Sequence, residues 1–375
     1  MKVVAAIDSF KGSMTSMQAG LSCKEGILKA VDAEVVVKPL ADGGEGTVEA
    51  LVEGLEGRYE YIKVTGPMGT PVKSRYGILK NGVAVMEMAE ASGITLVETE
   101  KLNPWKATSV GVGEMILDAV GKGCHDFIIG IGGSATTEGG IGMLSGLGYE
   151  FFDEVGKKLP PVFSSLKLVK FVRKDKVPAA LNSCHFQIAC DVTNPLCGEN
   201  GSIYVFGTQK GVKEEEKAEM DAQLECYAKK LEEISGKNLR NFPGAGAAGG
   251  LGFAFLWGLS DVQLKPGIDI VIEATGLKEE IENADIVITG EGRLDFQTSM
   301  GKVPVGVAKL AKKYNCKVIA FAGSVTKDAR KCNDVGIDAY FSILPSICSL
   351  KEAMDTDNAK ENMKNTAEQV FRLLA

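Results

Sequence analysis

Short β-branched runs alternate with amphipathic helical stretches at both ends of the chain, and that alternation leaves few folds open. A strand followed by a helix and a second strand packs well only as a β-α-β unit of a mostly parallel sheet, so the fold class is α/β. Val3 to Ile7 reads as a buried strand. Thr15 and Gln18 have the spacing of a capping box, which predicts a helix from about Met17, and Glu34 to Leu40 reads as the next strand. The same pattern returns late in the chain as ADIVITGEG, a helix from about Pro304 to Tyr314, KVIAFAGS, AYFSIL and a last helix ending in VFRLLA. Both ends are therefore expected to build one doubly wound sheet. The middle, from about Ile62 to Asn283, has shorter strands, a hairpin signal at Lys80-Asn81-Gly82 and the glycine-rich stretches GIGGSATTEGG and GAGAAGGLG. The predicted division is 1–65 with 284–375 as one discontinuous domain and 66–283 as an α/β domain inserted in it. Lys213 to Ser235 reads as an amphipathic helix with Met220, Leu224, Tyr227, Leu231 and Ile234 along its apolar face.

Composition narrows the function classes. With 42 basic and 49 acidic side chains, the net charge of −7 offers no general positive field for nucleic acid or an anionic membrane, so any phosphate has to be bound locally. The start MKVVAAIDSF lacks the apolar core of a secretory signal, and the uncharged stretch from Asn241 to Ser260 opens with GAGAAGG, too weakly apolar for lipid. A cytoplasmic protein without a membrane span is expected. Nine cysteines with no C-x-x-C pair support neither a disulfide framework nor a zinc ribbon, and reduced core thiols follow.

Glycine is abundant, 45 of 375 residues, and clustered at the ends of strands. No P-loop is present: at the nearest match, Gly301-Lys302, Phe296 stands where the first glycine belongs and Val303 replaces the hydroxyl. Gly244, Gly246 and Gly249 satisfy G-x-G-x-x-G, yet they follow NLRNFP instead of a strand, so the dinucleotide context fails. His125 and His185 each stand just before a strand with no partner in view, and Cys190 sits in the apolar run FQIAC, so a general base here is expected to be a carboxylate. In FIIGIGGSATTEGG, residues 127 to 140, a strand runs into glycines and then into Ser134, Thr136 and Thr137. Such a turn either presents free amides to an anion or is simply tight. Acids stand beside glycine or a cation in DSFKGS, ADGGEGT, CDVTNP, GEGRLD and QTSMGK, with Asp8, Asp191 and Glu291 directly after strands. Residues at the carboxyl ends of parallel strands line the ligand crevice, where carboxylates can hold Mg²⁺ and Lys11, Arg293 and Lys302 can hold phosphate or carboxylate.

In order along the chain, DSFKGS, ADGGEGT, VTGPMG, MAEASGI, TSVGVGEMI, GIGGSATTEGG, ACDVTNPLCG, FGTQKG, GAGAAGGLG, PGIDIV and ADIVITGEGRLDFQTSMGKVPVGVA resemble the bacterial type I glycerate kinases. The chain departs from the usual family wording at Met68, at Thr208 and at Thr137-Glu138. The resemblance implies a flavodoxin-like or Rossmann-like domain from both chain ends, an inserted α/β domain and an active site in the cleft between them. It further implies ATP-dependent phosphorylation of the small molecule D-glycerate, at the 2-hydroxyl to give 2-phosphoglycerate and ADP. Attack by the 3-hydroxyl, giving 3-phosphoglycerate, is the alternative, and an NAD-dependent hydroxyacid oxidoreductase is a more distant one. A monomer or homodimer that engages neither nucleic acid nor membrane is expected. On that reading Asp191 is the base, assisted by the catalytic Lys11 and Arg293. Asp8, Ser9, Lys11, Arg293 and Lys302 bind substrate. Gly132, Gly133, Ser134, Thr136 and Thr137 take the nucleotide phosphates through their backbone, and Asp42, Glu45 and Asp295 surround Mg²⁺.

Overall fold

The structure, a computed structural model, describes residues 1–375 except Gln297, Ser299, Met300 and Gly301, so most of the Gln297–Gly301 stretch singled out above lies outside the described residues. The chain divides into two compact units.

The first unit comprises residues 1–42, 46–57 and 268–375. Its five strands stand in the order Ala339–Ser342, Lys317–Val325, Ile286–Leu294, Lys2–Ile7, Glu34–Pro39, and every pairing is parallel. Strand order reverses at the Lys2–Ile7 strand, which pairs with Glu34–Pro39 on one side and with Ile286–Leu294 on the other; such a switch point leaves a crevice at the carboxyl ends of the strands. One face of the sheet is covered by the helices Ser16–Ala30 and Thr356–Leu374, whose Ala19, Cys23, Ile27, Met363, Ala367 and Phe371 join Val3, Ala5, Ile7, Ile288 and Phe321 in a single apolar cluster. Thr15 and Gln18 cap the first of these helices reciprocally: the Gln18 amide donates to Thr15 Oγ1 at 3.1 Å and the Thr15 amide to Gln18 Oε1 at 3.1 Å. Gly26 lets the two helices touch, since a Cβ there would lie 2.1 Å from the Lys364 carbonyl.

The second unit comprises residues 43–45 and 58–267. Its six-stranded sheet runs Asp261–Lys265, His185–Ala189, Asp126–Gly130, Ala84–Glu87, Pro71–Ile78, Arg58–Thr65; the first four strands are parallel and the last two join antiparallel. The Asn81-Gly82 hairpin forms as expected, with Gly82 at φ 87°. Phe127 and Phe186, from neighbouring strands, stack at 4.7 Å in the core. The expected surface helix runs from Lys217 to Ser235 after a 3₁₀ turn at Glu214–Glu216; Met220, Leu224, Tyr227 and Leu231 are buried, while Ile234 is exposed.

These boundaries differ from the expected 66–283 insertion at both ends. Arg58–Thr65 pairs along its whole length with Pro71–Ile78, so the second unit begins eight residues earlier. Residues 268–283 belong to the first unit: Lys38 donates to the Thr275 carbonyl at 2.9 Å and Tyr314 to Glu282 at 2.8 Å. Among the described residues no helix is long and apolar enough to cross a membrane, and all nine cysteines are free.

Candidate active site

In the first unit the switch point opens into a cavity of about 400 Å³. Asp8, Ser9 and Lys11 reach it from the loop after the first strand, Asp42 from the loop after the second, and Glu291 and Arg293 from the end of the Ile286–Leu294 strand. Asp295 and Lys302 follow. The other wall is apolar and comes from the C-terminal segments, with Ile343, Leu344, Leu350 and Met354.

Asp8 is only 5% exposed and accepts the Ser9 amide at 2.6 Å. Burial first, then the negative charge of Asp42, raise its pKa from 3.8 to about 7; Glu291 adds to this, and the Ser9 hydrogen bond and Lys11 oppose it. Glu291 is buried beside it and also raised, chiefly by desolvation, although it accepts the Thr298 hydroxyl at 2.5 Å and has Lys302 Nζ 3.9 Å away. Arg293 projects outward, with its side chain 66% exposed and its Nε 3.6 Å from Asp295. A floor of crowded carboxyl groups therefore faces cations on flexible stems. Such a cavity can hold an anion between Lys11, Arg293 and Lys302 and keep a proton on Asp8 near neutral pH.

The predicted metal residues are separate in kind. Asp42 and Asp295 line the cavity, whereas Glu45 is exposed, belongs to the second unit and does not line it. No group of three or more His, Cys, Asp or Glu side chains is poised to hold a metal among the described residues. Asp42 and Asp295 give the cavity two carboxylates, and Mg²⁺ usually takes one or two and completes its shell with phosphates and water.

The second unit carries the glycine-rich loop. After strand Asp126–Gly130 the chain exposes Gly132 and Gly133, then turns inward so that Ser134, Thr136 and Thr137 are buried. Of these five residues only the two glycines are exposed. Among the described residues neither glycine amide donates to a backbone carbonyl. The hydroxyl residues are internal braces instead: Thr137 Oγ1 donates to the Pro104 carbonyl at 3.3 Å, and Ser134 Oγ accepts Lys210 Nζ at 2.6 Å. Glu138, fully buried, accepts the amides of Ser109 and Gly142 at 3.0 and 3.3 Å together with the Ser109 hydroxyl. Lys210 is 2% exposed, and burial pushes its pKa down to about 8 against the pull of Glu138. The GAGAAGG segment packs on this loop. A Cβ on Gly249 would sit 2.0 Å from the Thr136 carbonyl, and the Gly139 amide donates to the Gly249 carbonyl at 2.9 Å. Its glycines thus serve close packing.

Asp191 stands just past strand His185–Ala189, exposed, with Oδ1 accepting the Gly267 amide at 2.9 Å. His185 is exposed and paired with Asp261 at 2.6 Å, in keeping with a strand-edge residue. Sequence reasoning set Glu291 at a strand end without giving it a role, and it missed Lys210 and the apolar wall. Periodicity carries no signal for an isolated buried lysine; FGTQKG entered the reading only as one of the strings that resemble the family.

The signature of the Glycerate kinase family matches residues 3–375. A protein of Haemophilus influenzae named glycerate kinase is 44% identical over 100% of this chain and 99% of its own length. One of Escherichia coli K12 named glycerate 2-kinase is 43% identical over 100% of this chain and 98% of its own. The crystal structure of a glycerate kinase 2 candidate from Salmonella typhimurium LT2 superposes with a TM-score of 0.91 at 41% identity, covering 100% of this chain and 98% of that one. The chain is an enzyme of the glycerate kinase family.

Proposed function

We propose that the protein transfers the γ-phosphoryl group of ATP to the 2-hydroxyl of D-glycerate, giving 2-phosphoglycerate and ADP. Family membership supports the substrate, and the E. coli relative carries the name glycerate 2-kinase. The observation that carries the reading is the cavity at the switch point, where Asp8, Asp42 and Glu291 face Lys11, Arg293 and Lys302. Arg293 and Lys11 clamp the glycerate carboxylate or the transferring phosphoryl group, with Ser9, Asp8 and Lys302 completing the substrate contacts. Gly132 and Gly133 offer their amides to the nucleotide phosphates, over a loop braced by Ser134, Thr136 and Thr137.

Asp191 accepts the proton of the attacking hydroxyl. A bond forms from that oxygen to the γ-phosphorus, the bond from phosphorus to the bridging oxygen breaks, and ADP leaves. Held by Asp42 and Asp295, Mg²⁺ would neutralise charge on the phosphates. Such catalysis is mostly positioning and charge neutralisation, so few residues need to exchange protons.

The purified protein, given ATP, Mg²⁺ and D-glycerate, should release ADP, and phosphorus NMR should show 2-phosphoglycerate. A product resonance from 3-phosphoglycerate would move the attack to the other hydroxyl, and absence of ADP release would overturn the reading.

A further inference from the structure

The glycine-rich loop rests on a charged group that is expensive to place where it is. Lys210 ends the 3₁₀ turn Thr208–Lys210, its amide bonded to the Gly207 carbonyl at 2.9 Å, and Gly211 follows at φ 93°. That turn fixes where the side chain starts. The ammonium is 2% exposed and donates to Ser134 Oγ at 2.6 Å and to the Thr136 carbonyl at 2.8 Å. On its other side the loop is tied by the Ile94 amide to the Gly133 carbonyl at 2.8 Å and by the Ala135 amide to the Ser92 carbonyl at 2.9 Å. Gly132 and Gly133 remain exposed between these anchors.

Taking an ammonium out of water is costly, and an apolar side chain of similar volume would fill the space without that cost. Stability alone therefore gives a weak reason for a lysine here. The loop above it supplies a better one, because glycines lack side chains to hold their own conformation and an anion-binding amide is useful only when its direction is fixed. We propose that Lys210 is the positioning residue of this loop, pinning Ser134 and Thr136 from inside the fold so that the Gly132 and Gly133 amides face a nucleotide's phosphates. The positive charge beneath the loop also adds to the field those amides present to an anion. The inference rests on the loop taking the nucleotide, and its test separates the two.

Lys210→Met keeps the length of the stem and removes the charge and both hydrogen bonds. Ser134→Ala removes one acceptor, and Gly133→Val obstructs the loop directly at a residue with φ 71°. ATP affinity by titration calorimetry, the KM for each substrate and the melting temperature are measured for the three variants. Lys210→Met should weaken ATP binding roughly tenfold or more while the KM for glycerate stays within about twofold, and Ser134→Ala should weaken ATP about threefold. A merely structural lysine would not give that split, because loosening the unit generally lowers the concentration of folded enzyme and leaves the ratio of the two KM values alone. If Gly133→Val weakens ATP binding and Lys210→Met does not, the loop reading stands and the role of Lys210 is overturned. If neither changes ATP affinity, both fall. Should Lys210→Met not fold, Ser134→Ala decides: unchanged ATP affinity overturns the proposal, and the threefold loss with glycerate unaffected supports it.

Discussion

Replacing Asp8 with Asn should stabilise the protein at alkaline pH while impairing it as an enzyme. Asp8 is 5% exposed, and its pKa is raised from 3.8 to about 7, first by burial and then by Asp42. The native state thus binds this proton more tightly than the unfolded chain does. Its contribution to stability is complete below pH 3.8 and is lost as the pH climbs toward 7, above which the ionised carboxylate is a liability. Each tenfold in proton affinity is worth about 1.4 kcal/mol, so the liability is roughly 4 kcal/mol at most. Asn keeps an oxygen for the Ser9 amide and cannot ionise. Between pH 5 and pH 8 the stability of Asp8→Asn should therefore gain on that of wild type by roughly 3 kcal/mol, seen as a relative rise of about 6–12 °C in the unfolding midpoint. Calorimetric melting of both proteins across that range, ligand-free and with chelator, reads the difference. A gap that stays constant with pH, or a wild type more stable than the variant at pH 8, would refute the argument that burial and Asp42 load this carboxyl.

Arg293→Ala should raise the KM for glycerate by roughly tenfold to a hundredfold, the worth of one charge-assisted hydrogen bond, with the KM for ATP nearly unchanged in steady-state assays. Unaltered values for both would dismiss the clamp. Asp191→Asn keeps the oxygen that accepts the Gly267 amide, so the fold should hold while kcat falls by about a hundredfold or more in an ADP-release assay; near-normal turnover removes Asp191 from the chemistry. His185→Gln, which breaks an exposed pair with Asp261, should leave kcat and both KM values within about twofold, and a large loss would mean that this strand edge has a role in catalysis.

The parts of the fold legible in the sequence are those with a local cause. Thr15 and Gln18 announced a helix because a capping box needs only residues three apart, and the reciprocal hydrogen bonds are present. Val3 to Ile7 announced a buried strand because an uninterrupted apolar run at the centre of a parallel sheet has no polar face to offer, and all five are fully buried. The unit boundary at Arg58 was not legible in this way. Arg58–Thr65 reads RYEYIKVT, an alternating strand that would suit the edge of either sheet, and its assignment depends on a partner, Pro71–Ile78, reached through the tight turn at Gly69.

The site divides along the same line. Asp8, Asp42, Arg293 and Lys302 line one cavity, and for Asp8 and Asp42 that edge was legible because parallel strands deliver the residues that follow them to one side of the sheet. Ser134, Thr136 and Thr137 were expected to offer their backbone to the nucleotide, and their side chains are buried in the fold, a burial that nothing local in the sequence announces. Ser134 and Thr136 are bonded by Lys210, some 75 residues away in sequence. A lysine is read from sequence as solvent-facing, and only long-range packing can bury it. The residues hardest to read were therefore those that act through other residues, because their effect depends on distances the chain acquires only on folding.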